Sequence, residues 1–111
     1  MRKSGKNAME DMVYDRQVRI CKAFANTSRL KILDLLANGE CTGTEIQEAL
    51  GIAQANISQH LAILKAAGVV ATRRDGNQVC CSLAIPEVKQ ACQLIRDVLR
   101  VQVRNGQKLV V

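Results

Sequence analysis

Apolar residues recur at helical spacing along the first part of the chain and predict two helices. Between residues 8 and 25 they stand at steps of roughly three to four residues or multiples of these: Met9, Val13, Ile20 and Phe24. Asn26-Thr27-Ser28 then supplies N-cap candidates for a second helix, which we expect to end at Asn38-Gly39. The second helix carries too many apolar residues for a single stripe, so we expect it to be central: Leu30, Ile32, Leu33, Leu35 and Leu36.

The middle of the chain predicts two short helices joined by a tight turn. Thr42 and Glu45 have the spacing of a capping box, in which each side chain accepts a hydrogen bond from the other's backbone N–H. The helix that they open should end near Leu50-Gly51. After a brief turn, residues 54–67 form the next helix, and Gly68 ends it.

The last third of the chain predicts a β-hairpin followed by a helix. Residues 69–74 and 78–83 have strand character, and Asp75-Gly76 between them is a strong hairpin-turn signal. Pro86 suits the first turn of a final helix. That helix has one apolar stripe: Val88, Cys92, Ile95, Leu99 and Val103. The order α-α-α-α-β-β-α predicts a mainly α protein with a small β-hairpin, a winged helix-turn-helix.

We expect one such domain over residues 8–104, with a flexible basic arm at residues 1–7 and a C-terminal tail at residues 105–111. The first and last helices both have long apolar stripes. Exposed, these stripes would form a larger patch than a soluble monomer usually tolerates. We therefore expect a twofold homodimer built from these two helices. The alternative is that both stripes pack on their own domain.

Charge and composition narrow the class of partner. The net charge of +6 favours a polyanionic partner, and the candidates are DNA, a membrane surface and RNA. Tyr14 and Phe24 are the only Phe, Tyr or Trp rings, which counts against stacking of unpaired RNA bases. No apolar run approaches the roughly 18 residues that span a bilayer, so we expect no membrane partner. The five cysteines have no regular spacing and are interpreted as free thiols in a reducing cytoplasm.

The 54–67 helix combines a packing side with a side suited to DNA bases. Ile57, Leu61 and Leu64 form its apolar stripe. Small polar or methyl-bearing side chains occupy the other side and its exposed start: Gln54, Ala55, Asn56, Ser58, Gln59 and Ala62. Gln and Asn can pair with adenine, and the Ala methyl can contact the thymine methyl. An ordinary solvated face is the alternative, but such faces usually carry Lys and Glu, and here only Lys65 is charged.

Four further residues extend the predicted DNA contacts. His60, the only histidine, is expected to pack or to contact a phosphate rather than to catalyse or bind a metal. Arg73, Arg74 and Asn77 flank the hairpin turn, where a wing would reach the phosphate backbone or the minor groove. The arginines could instead serve solubility alone.

Taken together, three segments resemble the ArsR/SmtB family of bacterial winged-helix repressors. They are residues 25–33, the 54–67 helix with its Ser-Gln-His-Leu, and the segment from Gly68 through the Arg-Arg-Asp-Gly-Asn-Gln-Val hairpin. The similarity runs from about residue 18 to 100. It implies a homodimer that binds a palindromic double-stranded DNA operator and leaves it when an inducer binds. It also implies that Gln54, Ala55, Ser58 and Gln59 face the bases.

The sensing residues of that family do not transfer intact. Its Cys-x-Cys motif corresponds to Thr42 and Thr44 here, with Cys41 one place earlier. The zinc site between the last helices lacks its histidines, and the persulfide-sensing positions correspond to Asp34 and about Arg100.

Cys41 is the best single sensor candidate, because the dipole of the helix that follows could lower its thiol pKa. An inert loop position is the equal alternative. Cys92 and Cys21 lie on or beside the terminal stripes, where a cysteine is more often a small apolar residue. Cys80 and Cys81 point to opposite faces of their strand and could simply fill space. We expect two or three thiols, such as Cys41 with Cys92, to respond to an oxidant, a sulfur species or a soft metal or metalloid ion such as arsenite.

These observations predict a cytoplasmic, dimeric, sequence-specific DNA-binding repressor released by thiol chemistry. A single histidine and scattered carboxylates offer no catalytic arrangement, so we do not expect an enzyme. A winged-helix module for protein–protein interaction is one alternative, and it should expose apolar anchors on the 54–67 helix. A regulator of the same family without cysteine-based sensing is another.

Overall fold

The computed structural model describes residues 5–106, which fold into helices and one small antiparallel sheet. In chain order the elements are α1 (Gly5–Phe24), α2 (Thr27–Ala37), β1 (Cys41–Thr42), α3 (Gly43–Leu50), α4 (Gln54–Ala66), β2 (Val70–Asp75), β3 (Gln78–Leu83) and α5 (Glu87–Arg104). The winged helix-turn-helix predicted from the sequence is confirmed, with α3 and α4 as the helix pair and β2–β3 as the wing.

The predicted helix caps are present. The Asn26 side chain accepts a hydrogen bond from the backbone N–H of Arg29 at 3.0 Å and starts α2. Thr42 and Glu45 form the reciprocal capping box of α3. The backbone nitrogen of Thr42 lies 2.8 Å from Oε1 of Glu45, and the backbone nitrogen of Glu45 lies 3.1 Å from Oγ1 of Thr42. Gly51 ends α3 in the left-handed conformation, at a φ of 68°, and so allows the sharp turn into α4.

The sheet has a third strand that the sequence did not predict. Its order is β1-β3-β2, because the two-residue strand β1 pairs antiparallel with β3. Two residues are too few to show the alternation by which a strand is recognised in a sequence. The hairpin turn is also displaced by one residue. Asp75 pairs with Gln78, so Gly76-Asn77 is the two-residue loop. Gly76 has a φ of 64°, and a type II′ turn requires a positive φ at this first loop position.

The core lies between α2, the helix pair and the sheet. Its largest fully buried side chains are Ile32, Leu33, Ile46, Ile57, Leu64 and Cys81. The central position predicted for α2 is therefore confirmed, with one correction: Leu30 is 40% exposed. Leu30 lies in the first turn of α2, where its side chain falls outside the packed layer.

The two terminal helices extend beyond this core. Every residue from Ala8 to Lys22 is exposed, and α1 is attached mainly by Ala23 and Phe24 at its end. In α5 the predicted stripe is buried only at Val88. Helix α1 begins at Gly5, so residues 5–7 of the expected arm are helical, while residues 1–4 and 107–111 lie outside the described residues. No helix within residues 5–106 is long and apolar enough to span a bilayer.

Candidate nucleic-acid interface

Helix α4 separates its packing residues from its polar residues as the sequence predicted. Ile57 and Leu64 are 2% and 0% exposed, and Leu61 is half-buried against the core. The residues expected to contact DNA along this helix are exposed: Gln54, Ala55, Asn56, Ser58, Gln59 and Lys65. Burial of one side holds the helix rigidly and leaves the other side available to a ligand.

A groove runs between the exposed side of α4 and the wing. Gln54, Ser58 and Lys65 line it from α4, and Thr72 and Val79 line it from the strands. Its volume is about 260 Å³. The groove brings side chains from α4 and the wing to the same surface, which is what a protein that contacts bases and phosphates together requires.

The two wing arginines have different surroundings. As neighbours in β2 they point to opposite faces of the sheet. Arg73 is held by Glu40 in a two-point ion pair, with Nε and Nη2 donating to the carboxylate oxygens at 3.0 and 2.7 Å. The hydrogen bonds from Arg73 lower the pKa of the Glu40 carboxyl below its usual value. Arg74 and Asn77 are exposed, and Arg74 forms no ion pair within residues 5–106.

His60 is half-buried at the edge of α4 and has a partner that the sequence did not suggest. Its Nδ1 accepts a hydrogen bond from Nη1 of Arg29 at 3.3 Å. Arg29 comes from the start of α2, 31 residues earlier in the chain. A single sequence carries no signal for such a contact, because no local pattern links these two positions.

The cysteines are distributed differently from the expected pairing. Cys41 stands directly opposite Cys81 across the β1–β3 ladder. Cys92 lies instead between α2 and α5, beside Asp34 and Arg96. Cys21 is exposed on α1. The structure thus places Cys41 and Cys92 in separate surroundings.

The expectation that a helix dipole lowers the pKa of Cys41 is wrong. Burial raises the pKa of the Cys41 thiol, and the carboxylate of Glu45 raises it further. Glu45 occupies the first turn of α3, where its charge opposes the helix dipole at close range. Burial also raises the pKa of Cys92, with a further contribution from Asp34. Within the described part of the chain, no three Cys, His, Asp or Glu side chains are grouped to hold a metal ion.

Comparison with known proteins points to one group of regulators. The family model described as "Bacterial regulatory protein, arsR family" matches residues 26–72. The transcriptional activator HlyU of Vibrio cholerae is 38% identical over 80 residues, covering 72% of this chain and 74% of that protein. A probable mercury resistance operon repressor of Streptomyces lividans is 38% identical over 82 residues, covering 74% of this chain and 66% of that protein.

A solved structure covers nearly the whole chain. It is the solution NMR structure of a homodimeric winged helix-turn-helix DNA-binding domain from Mycobacterium bovis, described as a possible ArsR-family regulator. The TM-score is 0.82 at 30% sequence identity, and the alignment covers 98% of this chain and 100% of the other.

Proposed function

The chain belongs to the ArsR family of bacterial transcriptional regulators, and we propose that it is a homodimeric, sequence-specific repressor that binds a palindromic DNA operator in the cytoplasm. Its relatives and its fold are those of DNA-binding regulators, not of enzymes. The observation that carries the proposal is helix α4, which buries Ile57 and Leu64 and exposes a row of small polar side chains.

In the proposed complex α4 lies in the major groove. Its exposed residues fit the roles that base readout requires: Gln54, Asn56, Ser58 and Gln59 offer hydrogen-bonding groups, and Ala55 offers a methyl group. Lys65, at the far end of the helix, suits a phosphate contact. The absence of bulky side chains from this row allows close approach to the bases.

The wing supplies the second set of contacts. Arg74 and Asn77 are exposed and suit the phosphate backbone or minor groove beside the site of α4. Arg73 is part of the proposed interface as well. Because Glu40 holds it in the free protein, its guanidinium must exchange a carboxylate for a phosphate on binding.

The terminal helices support the homodimer. In α5, Ile95 and Leu99 are 57% and 44% exposed, and α1 presents a row of large apolar residues to solvent: Met9, Met12, Val13, Tyr14, Val18 and Ile20. A patch of this extent on a soluble protein usually marks an interface. A twofold dimer presents two symmetry-related copies of α4, and dimeric helix-turn-helix proteins read half-sites one DNA turn or a multiple of it apart, which is why we propose a palindromic operator.

Repression and its release are the finer parts of the proposal. The relatives include one protein named as a repressor and one named as an activator. We propose repression here, because a dimer bound at a promoter occupies the site that RNA polymerase needs. We propose that thiol oxidation releases the operator. A soft-metal trigger receives less support, because no group of three metal-ligating side chains occurs within residues 5–106.

Selection of bound duplexes from a random DNA library tests the proposal. The fully reduced wild-type protein should enrich one palindromic sequence, and a Gln59→Ala variant should lose that preference. Sedimentation of the same sample should give twice the 12.2 kDa monomer mass. Enrichment of no sequence by a folded, dimeric protein would favour the protein–protein interaction module instead. A reporter gene placed behind the selected operator then tests repression. If the protein is a repressor, deleting it should raise expression of the reporter.

A further inference from the structure

Two of the five cysteines face one another across the small sheet. Strand β1 pairs with β3 so that Cys41 is the direct partner of Cys81, and Thr42 is the partner of Cys80. Direct partners in an antiparallel pair project to the same face of the sheet. Cys81 and Cys41 therefore share the core-facing side, where Cys81 is fully buried and Cys41 packs against the core cluster.

The spacing of this pair suits a covalent link. Direct antiparallel partners have Cα atoms about 4.5 or 5.5 Å apart, depending on whether they share ladder hydrogen bonds. Both values lie inside the range of roughly 4.4–6.8 Å found for disulfides. The neighbours Cys80 and Cys81 do not fit, because consecutive Cα atoms lie only about 3.8 Å apart.

We propose that Cys41 and Cys81 are an oxidant-sensitive pair that closes to an intrachain disulfide on reaction with a peroxide and thereby weakens operator binding. The second half of this proposal rests on the proposed function. The first half concerns the chain alone.

The exposure of the two thiols assigns their roles. Cys41 is partly exposed and can react with a small oxidant from solvent. Cys81 is fully buried, so it reacts next with the oxidised Cys41 opposite it. The Cys41 thiolate attacks the peroxide O–O bond, forming a sulfenic acid and releasing an alcohol or, from hydrogen peroxide, water. The Cys81 sulfur then attacks Sγ of Cys41 and displaces water. The balance is two thiols and one hydrogen peroxide to one disulfide and two waters.

The surroundings of the pair set the speed of this reaction. Burial raises the pKa of both thiols, and the proximity of Cys80 and Cys41 raises that of Cys81 further. Only the thiolate is the nucleophile, so oxidation at neutral pH is slow and quickens as the pH rises toward the raised pKa of Cys41.

The position of Cys41 in the chain explains the effect on DNA. Its neighbour Glu40 holds Arg73 of the wing, and its other neighbour, Thr42, is the N-cap of α3. In the reduced protein the Cys41 thiol donates to the carbonyl of Gly39 at 3.7 Å, and closing the disulfide turns this sulfur toward Cys81 and constrains β1 against β3. Both the wing contact and the start of the helix pair are attached to the segment that the new bond constrains.

Peptide mapping tests the cross-link without reference to DNA. The full-length reduced protein is treated with hydrogen peroxide, blocked with iodoacetamide and digested with trypsin. We expect the peptide carrying Cys41 to be joined to the peptide carrying Cys80 and Cys81. The link should persist in Cys80→Ala and in the matched controls Cys92→Ser and Cys21→Ser, and it should vanish in Cys41→Ser. A link to any other cysteine, or to a second chain, overturns the proposal.

Fluorescence anisotropy on the selected operator tests the consequence. We expect oxidation to weaken binding at least tenfold in the wild type and in Cys92→Ser, and dithiothreitol to restore it. The affinity of Cys41→Ser should not change with peroxide. A mapped Cys41–Cys81 link with unchanged affinity overturns the regulatory half. Failure of the reduced protein to bind DNA, with the link still formed, counts against the proposed function and not against the cross-link.

Discussion

Arg29 donates a hydrogen bond from Nη1 to Nδ1 of His60 across 3.3 Å and so joins the end of α1 to helix α4. The same guanidinium donates from Nε to the carbonyl of Ala23 at 2.7 Å and from Nη2 to the carbonyl of Lys22 at 3.1 Å. These carbonyls belong to the last turn of α1, where helix geometry leaves acceptors unsatisfied and favours a cation. One side chain thus connects the proposed dimer helix to the proposed DNA-reading helix.

This contact fixes the tautomer of His60. A guanidinium has no acceptor, so Nδ1 must accept and the ring proton lies on Nε2. The Nε2–H group is then the donor that the ring can offer to a partner outside the fold. A DNA phosphate beside α4 is the partner that the proposed function supplies.

We predict that Arg29→Ala changes the tautomer balance of His60 and weakens operator binding. Without the Arg29 donor, no other hydrogen-bond donor within residues 5–106 holds Nδ1 in its unprotonated form. Because His60 is the only histidine, its ¹⁵N resonances report the tautomer without overlap. Arg19→Ala on exposed α1 removes the same charge and is the matched control. An unaltered His60 spectrum in Arg29→Ala would show that the contact does not set the tautomer.

Replacing Gln59 by alanine should weaken binding to the selected operator by about 1–3 kcal/mol, or roughly 5- to 150-fold. Binding to unrelated duplexes should hardly change, because phosphate contacts carry most non-specific affinity. Gln59 is exposed, so thermal unfolding should stay the same. Gln90→Ala, an exposed glutamine on α5, serves as control. Equal losses on specific and unrelated DNA would remove Gln59 from the base-reading set.

Replacing Glu40 by glutamine should strengthen DNA binding at low salt. The substitution removes the carboxylate that competes with phosphate for Arg73 and also removes a negative charge near the DNA. Because Arg73 contacts phosphate in the complexes of both proteins, the affinity should rise while the slope of log K against log salt changes by less than about one unit. Anisotropy titrations at several salt concentrations measure it. The control is to make Glu40→Gln in a protein that already carries Arg73→Ala. Loss of the gain in that background shows that it acts through Arg73, and a gain of the same size shows that it does not.

A charged residue in the exposed stripe of α5 should produce a monomer. Ile95→Glu would bury a carboxylate at the proposed interface, which is costly without a partner. Sedimentation velocity measures the assembly, and operator affinity should fall with it, since each monomer reads one half-site. Gln90→Glu adds the same charge on the opposite side of α5 and should remain dimeric. A dimeric Ile95→Glu protein would place the interface elsewhere.

Elements with local determinants were predictable from the sequence. Asn26 caps α2 and Thr42 with Glu45 caps α3 because each cap is made within three residues of chain. The strand at residues 78–83 was predicted with its observed bounds, because its turn and its composition are both local signals. The side of α4 that is buried followed from the spacing of its apolar residues alone.

The contacts that give the site its properties are not local. The Arg73–Glu40 and Arg29–His60 contacts join residues 33 and 31 positions apart, and the pairing of Cys41 with Cys81 depends on a strand of two residues. The sequence therefore determined the family, the fold and the exposed row on α4, because helical periodicity and caps are encoded within a few residues. Only the tertiary structure decided which arginine is held, how His60 is oriented and which thiols meet, because packing alone brings distant positions together.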